Sequence, residues 1–202
     1  SPKVVVATNG YSSETVPKWM AGRYLPTQSS VIVTRPLNPE ELAEQGWTTH
    51  QLAYDTRNLL HYFRLLPNGR FLFGMRGGLS TTSKTHDAVQ RLIRQDFESM
   101  FPKWAHVETP WYWTGFVCLS RNLTPFAGPI PEHAGMFAGF GYHGNGVAMG
   151  SYTGALVADQ IIGDTGLRLP KVMQIPPRKF PFGKKRRALM YPAYVAHNLK
   201  DR

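Results

Sequence analysis

A glycine-rich turn near the end of the chain is the stretch best suited to hold a ligand. Residues 139–150 read GFGYHGNGVAMG, and they lead directly into SYTGALVADQIIG, a predicted helix. Glycine permits positive φ and lets backbone N–H groups approach a ligand without an intervening Cβ. The start of a helix adds unpaired N–H donors and a partial positive charge. The turn therefore predicts a site for an anionic oxygen, and the alternative is a tight turn that only packs a helix on a sheet.

The predicted helix carries an unusual face. Gly146, Gly150, Gly154 and Ala158 recur every four residues, so this face is almost bare of side chains. A glycine inside a helix costs roughly 1 kcal/mol relative to alanine. The stripe therefore indicates a packing demand, met either by another backbone or by a flat ligand.

Other side chains offer little chemistry of their own. The single cysteine, Cys118, excludes an internal disulfide and is interpreted as a buried thiol. The histidines outside the turn show no metal-ligand spacing, so no metal site is expected. They are His50, His61, His86, His106, His133 and His197.

Several elements must position the turn. The apolar run at 4–7 predicts a strand covered on both faces, as in a parallel sheet flanked by helices. Residues 29–34 predict a second strand, and Asn38-Pro39-Glu40-Glu41 predicts the start of a short helix that ends by Gly46. A hairpin is predicted for strands 59–66 and 70–75 around Pro67-Asn68-Gly69, followed by a helix that begins at Ser83 and is ended by Pro102. The remaining predictions are a strand in 105–120, a Pro- and Gly-rich loop, a strand at 136–139 and a closing helix near 191–200.

The charge is unevenly distributed. The formal net charge is +10, and ten of the 23 Lys and Arg residues lie in 168–202 against one acid, Asp201. The rest of the chain is nearly neutral, so the basic pI describes a tail. Aromatic residues flank the basic cluster 184–187, which favours a tail packed on the body or on a partner over nucleic-acid binding. No run of about 18 apolar residues occurs, so no membrane span is predicted.

Residues 141–147, GYHGNGV, resemble the G-[YF]-S-G-H-G-[VF] motif of the D-amino-acid oxidase (DAO) superfamily of FAD-dependent amine and amino-acid oxidoreductases. Three further stretches resemble strands of that family: residues 4–11 (VVVATNGY), 31–37 (VIVTRPL) and 70–76 (RFLFGMR). Trp113-Thr114-Gly115 followed by Thr124-Pro125 and Gly128 is similar to its W-x-G … P-x-x-G pattern. The resemblance runs from residue 1 to about 163 and points to the gamma-glutamylputrescine oxidoreductase branch.

The resemblance implies an α+β fold that binds FAD. Residues 1–12 and 135–165 would form part of an FAD-binding α/β domain, 13–134 an inserted mixed β-sheet substrate domain, and 166–202 the basic tail. The residues expected to bind the cofactor are Thr8, Gly10, Gly141, Gly144, Asn145, Gly146 and Val147. Arg76 and His143 are the catalytic candidates, and Trp113 and Tyr142 would line the substrate pocket. The structural alternatives are a solvated Arg76, a core Trp113 and a hydrogen-bonding role for His143.

The sequence also departs from the family pattern. The family's N-terminal GxGxxG fingerprint, which grips the FAD pyrophosphate, is expected upstream of residue 1, so the chain is interpreted as the C-terminal part of a longer polypeptide. The 202-residue segment alone is expected to lose FAD and to be inactive. His143 replaces the usual Ser and Asn145 the usual His. Leu72 stands where oxygen-using relatives carry a Lys, which leaves oxidase and dehydrogenase chemistry both open.

The resulting hypothesis is oxidation of the C–N bond of a small amine or amino acid by hydride transfer to flavin, in the cytoplasm. The missing FAD-binding half would be supplied by the upstream sequence or by a partner subunit. The alternatives are a non-catalytic remnant or subunit, and a binding module acting through the basic tail. The identity of the amine and the oligomeric state stay open.

Overall fold

The structure is a computed structural model that describes residues 2–78, 83–163 and 166–201. Its contacts divide the chain into two compact units. Unit 1 comprises Ser1–Thr27 and Phe116–Leu189, and unit 2 comprises Gln28–Gly115 and Met190–Arg202.

The described strands are β1 (Val4–Val6), β2 (Leu25–Pro36), β3 (Ala53–Tyr54), β4 (His61–Leu65), β5 (Arg70–Arg76), β6 (Trp111–Leu119), β7 (Phe126–Pro129) and β8 (Met136–Phe140). The described α-helices are α1 (Pro39–Gln45), α2 (Ser83–Met100), α3 (Gly146–Ile162) and α4 (Met190–Lys200).

Unit 1 contains a three-stranded sheet in the order β1-β8-β7. β1 runs parallel to β8, with Val5 opposite Phe137, and β7 runs antiparallel to β8. Because parallel strands end at the same edge of a sheet, the segments that follow β1 and β8 emerge side by side. The turn of interest begins at this edge.

The prediction that the first strand is covered on both faces is wrong. Val4 and Val5 are 44% and 47% exposed. Among the described residues, β8 is the only strand that pairs with β1, so β1 lies at the edge of the sheet. An unbroken run of β-branched residues predicts a strand. It does not specify which strands pair with that strand or which segments pack on its faces.

Two apolar clusters hold unit 1 together. Trp19, Met20, Phe126 and Phe140 belong to the first cluster and are buried. In the second cluster α3 packs Leu156 and Val157 against the sheet residues Ala127 and Phe137 and against Met173 from the C-terminal segment.

Unit 2 contains a five-stranded sheet in the order β3-β4-β5-β2-β6. β4 and β5 form the predicted hairpin around Gly69, whose φ of +76° suits the glycine of the turn. β5 also pairs antiparallel with β2, so Phe73 lies opposite Phe63 on one side and Ile32 on the other.

The core of unit 2 is aromatic. Phe71 and Phe73 on β5 pack against Ile93 and Phe97 on α2, together with Trp104. Phe71, Phe73 and Phe97 are fully buried, which contributes roughly 1.5–3 kcal/mol for each side chain. This core fixes one face of the sheet against α2 and leaves the alternate side chains on the other face.

The prediction for 105–120 begins too early, since the strand starts at Trp111. The guanidinium of Arg94 donates to the carbonyl oxygens of Ala105 and Val107 at 2.7 and 2.6 Å. These carbonyls are therefore bound to a helix side chain instead of a neighbouring strand. The Pro- and Gly-rich loop also contains an unpredicted strand, β7, because its buried Phe126 and Ala127 lie against β8.

Candidate functional site

The turn after β8 presents backbone donors to solvent. Asn145 is the N-cap of α3, and its side chain makes no capping hydrogen bond. The amide of Met149 donates to the Asn145 carbonyl at 2.9 Å and closes the first helical turn. The preceding amides of Gly146 and Val147 lack intrahelical acceptors, as the first amides of a helix do. Val147 is 96% exposed, so side chains do not cover this helix end.

Asn9 joins the two segments that leave the sheet. Its side-chain Oδ1 accepts the amide hydrogen of Gly141 at 3.0 Å. Gly141 has a φ of +85° and Asn9 a φ of +46°, so both occupy the left-handed region. Sequence reasoning did not identify Asn9, because its role depends on a contact with Gly141, 132 positions away in the chain.

His143 holds the turn from inside. Its amide donates to the carbonyl of Cys118 at 3.1 Å, and its Nε2 accepts the amide hydrogen of Ser120 at 2.9 Å. A ring nitrogen that accepts a hydrogen bond carries no proton. The Nε2 of His143 therefore anchors the turn, and the catalytic role of this residue stays a prediction.

Tyr142 explains half of the glycine stripe on α3. A Cβ on Gly146 would lie 3.6 Å from the Tyr142 ring, and a Cβ on Gly150 would lie 3.9 Å from it. The ring thus packs over the first two glycines, and burial raises the pKa of its phenol. The space at Gly154 is open, because a Cβ there would meet nothing within 4 Å.

Thr8 and Gly10 differ in what they offer a cofactor. Thr8 is exposed, and its hydroxyl lies 2.8 Å from that of Ser12. Gly10 is buried, and a Cβ on it would lie 2.9 Å from the Cβ of Phe116. The close approach of Phe116 is therefore sufficient to require a glycine at position 10.

Cys118 lies directly behind the turn and is 1% exposed. Burial raises the pKa of its thiol to about 12. The thiol therefore stays protonated at neutral pH, as expected for an inert buried cysteine.

In unit 2, Arg76 and Trp113 lie on the sheet face that points away from α2. Side chains alternate along a strand, and Phe71, Phe73 and Met75 belong to the core packed against α2. Leu72, Gly74 and Arg76 therefore point to the opposite face. Trp113 follows Tyr112, which packs on the α2 side, so Trp113 shares the face of Arg76 and is 48% exposed.

Tyr62 and Ser29 lie on this face as well and were missed by sequence reasoning. Tyr62 is paired in register with Gly74, and a Cβ on Gly74 would lie 2.1 Å from the Tyr62 ring. The Tyr62 hydroxyl lies 2.9 Å from the hydroxyl of Ser29, which is paired with Arg76. Burial raises the pKa of the Tyr62 phenol, and the Ser29 hydrogen bond and the nearby charge of Arg76 offset only part of this shift.

Neither a metal cluster nor a membrane-spanning helix is found in the described part of the chain. Residues 2–78, 83–163 and 166–201 contain no group of three or more His, Cys, Asp or Glu side chains placed to hold a metal ion. No helix in these ranges is long and apolar enough to cross a membrane.

A family model described as "DAO: FAD dependent oxidoreductase" matches residues 1–160. The chain belongs to this family. The resemblance drawn from residues 141–147 and the three strand segments is thereby confirmed.

Curated relatives agree with the family assignment. The chain is 32% identical over 183 residues to "Probable oxidoreductase OrdL" of Haemophilus influenzae, a match covering 85% of the chain and 40% of the relative. It is 31% identical over 202 residues to "Gamma-glutamylputrescine oxidoreductase" of Escherichia coli, with 98% and 46% covered. The chain thus spans less than half the length of these relatives.

Solved structures confirm the predicted α+β fold class. Glycine oxidase from Geobacillus kaustophilus matches with a TM-score of 0.65 at 16% identity, covering 85% of the chain and 44% of that structure. Iminodiacetate oxidase from Chelativorans sp. BNC1 matches with a TM-score of 0.67 at 16% identity, covering 88% and 47%.

FAD is the cofactor of the DAO family, and the α3 turn fits one part of it. The uncapped amides at Gly146 and Val147 suit the electron-rich edge of a flavin ring. Residues 139–144, GFGYHG, also have the GxGxxG spacing, which sequence reasoning passed over. A dinucleotide fingerprint requires a second parallel strand after the helix. Among the described residues no strand follows α3, so this turn lacks the βαβ context that binds the pyrophosphate.

Proposed function

We propose that this chain is the C-terminal part of an FAD-dependent oxidoreductase that oxidises the C–N bond of an amine or amino acid. The observation that carries the proposal is the uncapped, exposed start of α3, in a chain that the DAO family model matches over residues 1–160. The likeness to a gamma-glutamylputrescine oxidoreductase supports an amine as the substrate.

The turn residues would stabilise charge on the cofactor. Bound FAD would accept a hydride from the carbon beside a neutral amine nitrogen, which leaves an iminium ion, and the N1–C2=O edge of the flavin would carry the negative charge. The amides of Gly144, Gly146 and Val147 would be preorganised donors for that edge, as in an oxyanion hole. The amide of Asn145 instead donates to the carbonyl of Tyr142 at 2.9 Å. Asn9 and His143 would act indirectly, because they position the turn by hydrogen bonds to Gly141 and Ser120.

The exposed sheet face of unit 2 would receive the substrate. The guanidinium of Arg76 can bind a substrate carboxylate through two parallel hydrogen bonds. The Tyr62 and Ser29 hydroxyls lie beside it and are hydrogen-bonded to each other at 2.9 Å, and Trp113 offers an apolar wall. The pocket role of Tyr142 stays a separate prediction for the turn of unit 1, where its ring packs on Gly146 and Gly150.

The domain roles belong to the same proposal. Residues 1–12 and 135–165 form part of the FAD-binding domain, 13–134 form the substrate domain, and the tail 166–202 packs on the body or on a partner. The open edge of β1 supports a further strand from the FAD-binding half, because edge strands present unpaired N–H and C=O groups. The isolated 202-residue chain would then lose FAD and be inactive.

The proposal is tested with the protein expressed from its complete reading frame. We expect stoichiometric flavin absorbance that bleaches on anaerobic addition of amines or amino acids. Stoichiometric flavin retained by the 202-residue segment would contradict the proposed division of the FAD site. A folded full-length protein with no flavin would contradict the oxidoreductase assignment and support a non-catalytic remnant.

The role of the α3 amides is tested by Val147→Pro, with Val147→Ala as the control. Proline is tolerated in the first helical turn, where its missing N–H has no intrahelical acceptor. We expect Val147→Pro to slow flavin reduction by about 10²-fold, the usual effect of removing one such donor, and Val147→Ala to change it little. Equal rates in the two variants would exclude the Val147 amide as a donor.

A further inference from the structure

Unit 2 contains a buried histidine held between two carboxylates. His61 at the start of β4 is 3% exposed. Its Nδ1 lies 2.8 Å from Oδ2 of Asp55, and its Nε2 lies 3.0 Å from Oδ2 of Asp96. Both ring nitrogens can donate only when the imidazole is protonated. The geometry therefore fits an imidazolium that donates to both carboxylates.

The cluster links separate elements of unit 2. Asp55 follows β3 and also accepts the backbone amide hydrogen of His61 at 3.1 Å, whereas Asp96 belongs to α2. The His61 ring stacks on Phe73 of β5, with 5.2 Å between ring centroids and 18° between planes. The contacts of one side chain thus connect the β3–β4 connection, the sheet and α2.

His61 forms part of the wall of a cleft of about 760 Å³ within unit 2. This volume is within the range of small-molecule sites. The charged residues that line it are Arg57, Asp96 and Asp201, and its apolar lining includes Leu59, Met75, Val89 and Leu92. Arg76 borders the cleft where β5 ends, although strand alternation directs its side chain to the opposite face of the sheet.

The backbone next to His61 sets the position of Arg76. His61 is paired in register with Met75, and the amide of Arg76 donates to the carbonyl of Leu60 at 3.1 Å. Movement of the first residue of β4 would therefore move the last residue of β5.

We propose that Asp55, His61 and Asp96 form a proton-dependent tether that fixes the end of β5, and with it Arg76, relative to α2. His61 is a positioning residue in this proposal, because it acts through the β4–β5 pairing. The substrate role of Arg76 rests on the proposed function, whereas the tether itself does not.

The tether has a defined direction of pH dependence. Burial works against the charged ring, but the hydrogen bonds to Asp96 and Asp55 outweigh it and raise the pKa of His61. The stabilisation is therefore complete below the ordinary value of about 6.5 and is lost as pH rises through the raised pKa. A neutral ring would direct one lone pair at a carboxylate. The surrounding charges are those of Arg57, Arg76 at the end of β5 and Asp201 after α4. The Nη1 of Arg57 lies 3.4 Å from Nδ1 of His61, and its charge works against protonation of the ring.

The test is hydrogen–deuterium exchange of the full-length protein between pH 6 and pH 9, corrected for intrinsic exchange rates. We expect protection of peptides covering 58–65, 70–78 and 88–100 to fall by about tenfold or more as His61 loses its proton, as for a charge-assisted hydrogen bond. His61→Gln should remove this transition. Asp96→Asn should keep the hydrogen bond but shift the transition to lower pH, which a merely structural role would not produce.

The matched control is His106→Gln. His106 also contacts a carboxylate, that of Glu41 at 3.1 Å, but its side chain is 58% exposed. It should leave the transition unchanged. Protection that does not vary with pH, or that varies equally in His61→Gln, would overturn the proposal. Because exchange requires no flavin chemistry, this outcome is distinguishable from failure of the proposed function.

Discussion

Gly74 is required by the packing of the Tyr62 ring, twelve positions earlier in the chain. Its register partner Tyr62 places its ring where a Cβ would stand, and the phenol then reaches Ser29. The glycine is therefore a packing requirement of the sheet face that holds Arg76. Burial of the Tyr62 ring depends on the space that Gly74 leaves.

We expect Gly74→Ala to lower the free energy of unfolding by about 1–3 kcal/mol, because the added methyl group overlaps the Tyr62 ring. Urea denaturation provides the measurement. Gly154→Ala is the control, since a Cβ there meets nothing within 4 Å and alanine should stabilise the helix by up to about 1 kcal/mol. Equal effects of the two substitutions would contradict the packing role of Gly74.

At the residue scale, sequence reasoning could reach only what is local. The glycines of 141–147 predict a turn with positive φ, and Gly141 and Gly144 have positive φ in the structure. Asn9, Ser29 and Tyr62 could not be found in the same way. Their importance depends on the register between strands that are far apart in the chain, and a single sequence does not contain that register.

The helix α1 illustrates the element scale. Asn38 accepts the amide hydrogen of Glu41 at 2.7 Å, and Glu41 accepts that of Asn38 at 2.9 Å, which makes the predicted start a full capping box. The helix ends at Gly46, whose φ is +72°. Local signals were sufficient for this element, as they were for the β4–β5 hairpin.

What the sequence did not indicate is the ion pair beneath α1. Arg35 donates to both carboxylate oxygens of Glu41, at 3.0 and 2.5 Å. The hydrogen bonds from Arg35 are the main reason that the pKa of Glu41 is lowered to about 2, against the opposing effect of burial. Its stabilisation is therefore present above its unfolded pKa of about 4.5 and is lost as pH falls towards 2.

We expect Glu41→Gln to reduce the free energy of unfolding by about 2 kcal/mol at pH 7, the contribution of a charge-assisted hydrogen bond. The difference from the wild type should narrow between pH 4.5 and pH 3, measured by urea denaturation at each pH. Glu40→Gln serves as the control, because Glu40 is exposed in the same helical turn. A difference that stays constant with pH would show that Glu41 acts through something other than its charge.

At the scale of the whole molecule, the basic C-terminal segment has a buried anchor. Arg186 is 4% exposed within unit 1. Its Nε donates to the carbonyl of Tyr24 at 2.6 Å, and its guanidinium pairs with Glu14. Lys184 and Lys185 of the same cluster are exposed, so one charge run contains both a structural cation and solvated ones.

Arg186→Ala should lower the free energy of unfolding by about 3–5 kcal/mol, because it leaves the Glu14 carboxylate without its buried partner. Lys185→Ala should change it by no more than about 0.5 kcal/mol. Chemical denaturation of both variants gives the comparison. A small decrease in the free energy of unfolding for Arg186→Ala would mean that water solvates the Glu14 carboxylate as well as the guanidinium does.

The family and the fold class could be predicted from the sequence, since the motif at 141–147 and the strand segments keep their order along the chain. Sheet order could not. The five-stranded order β3-β4-β5-β2-β6 places β2 between two strands that follow it in sequence, and no local pattern specifies such neighbours. The cover expected on both faces of β1 was mispredicted, because a local pattern does not specify which segments pack on a strand.

That edge also bears on how the polypeptide behaves when nothing covers it. A strand with two solvent-facing valines and a free row of peptide groups is a template onto which any extended segment can add. In a concentrated preparation the nearest such segment is the same strand of another molecule. Self-association that increases with protein concentration would then indicate, without any assay of catalysis, that the edge of β1 is uncovered.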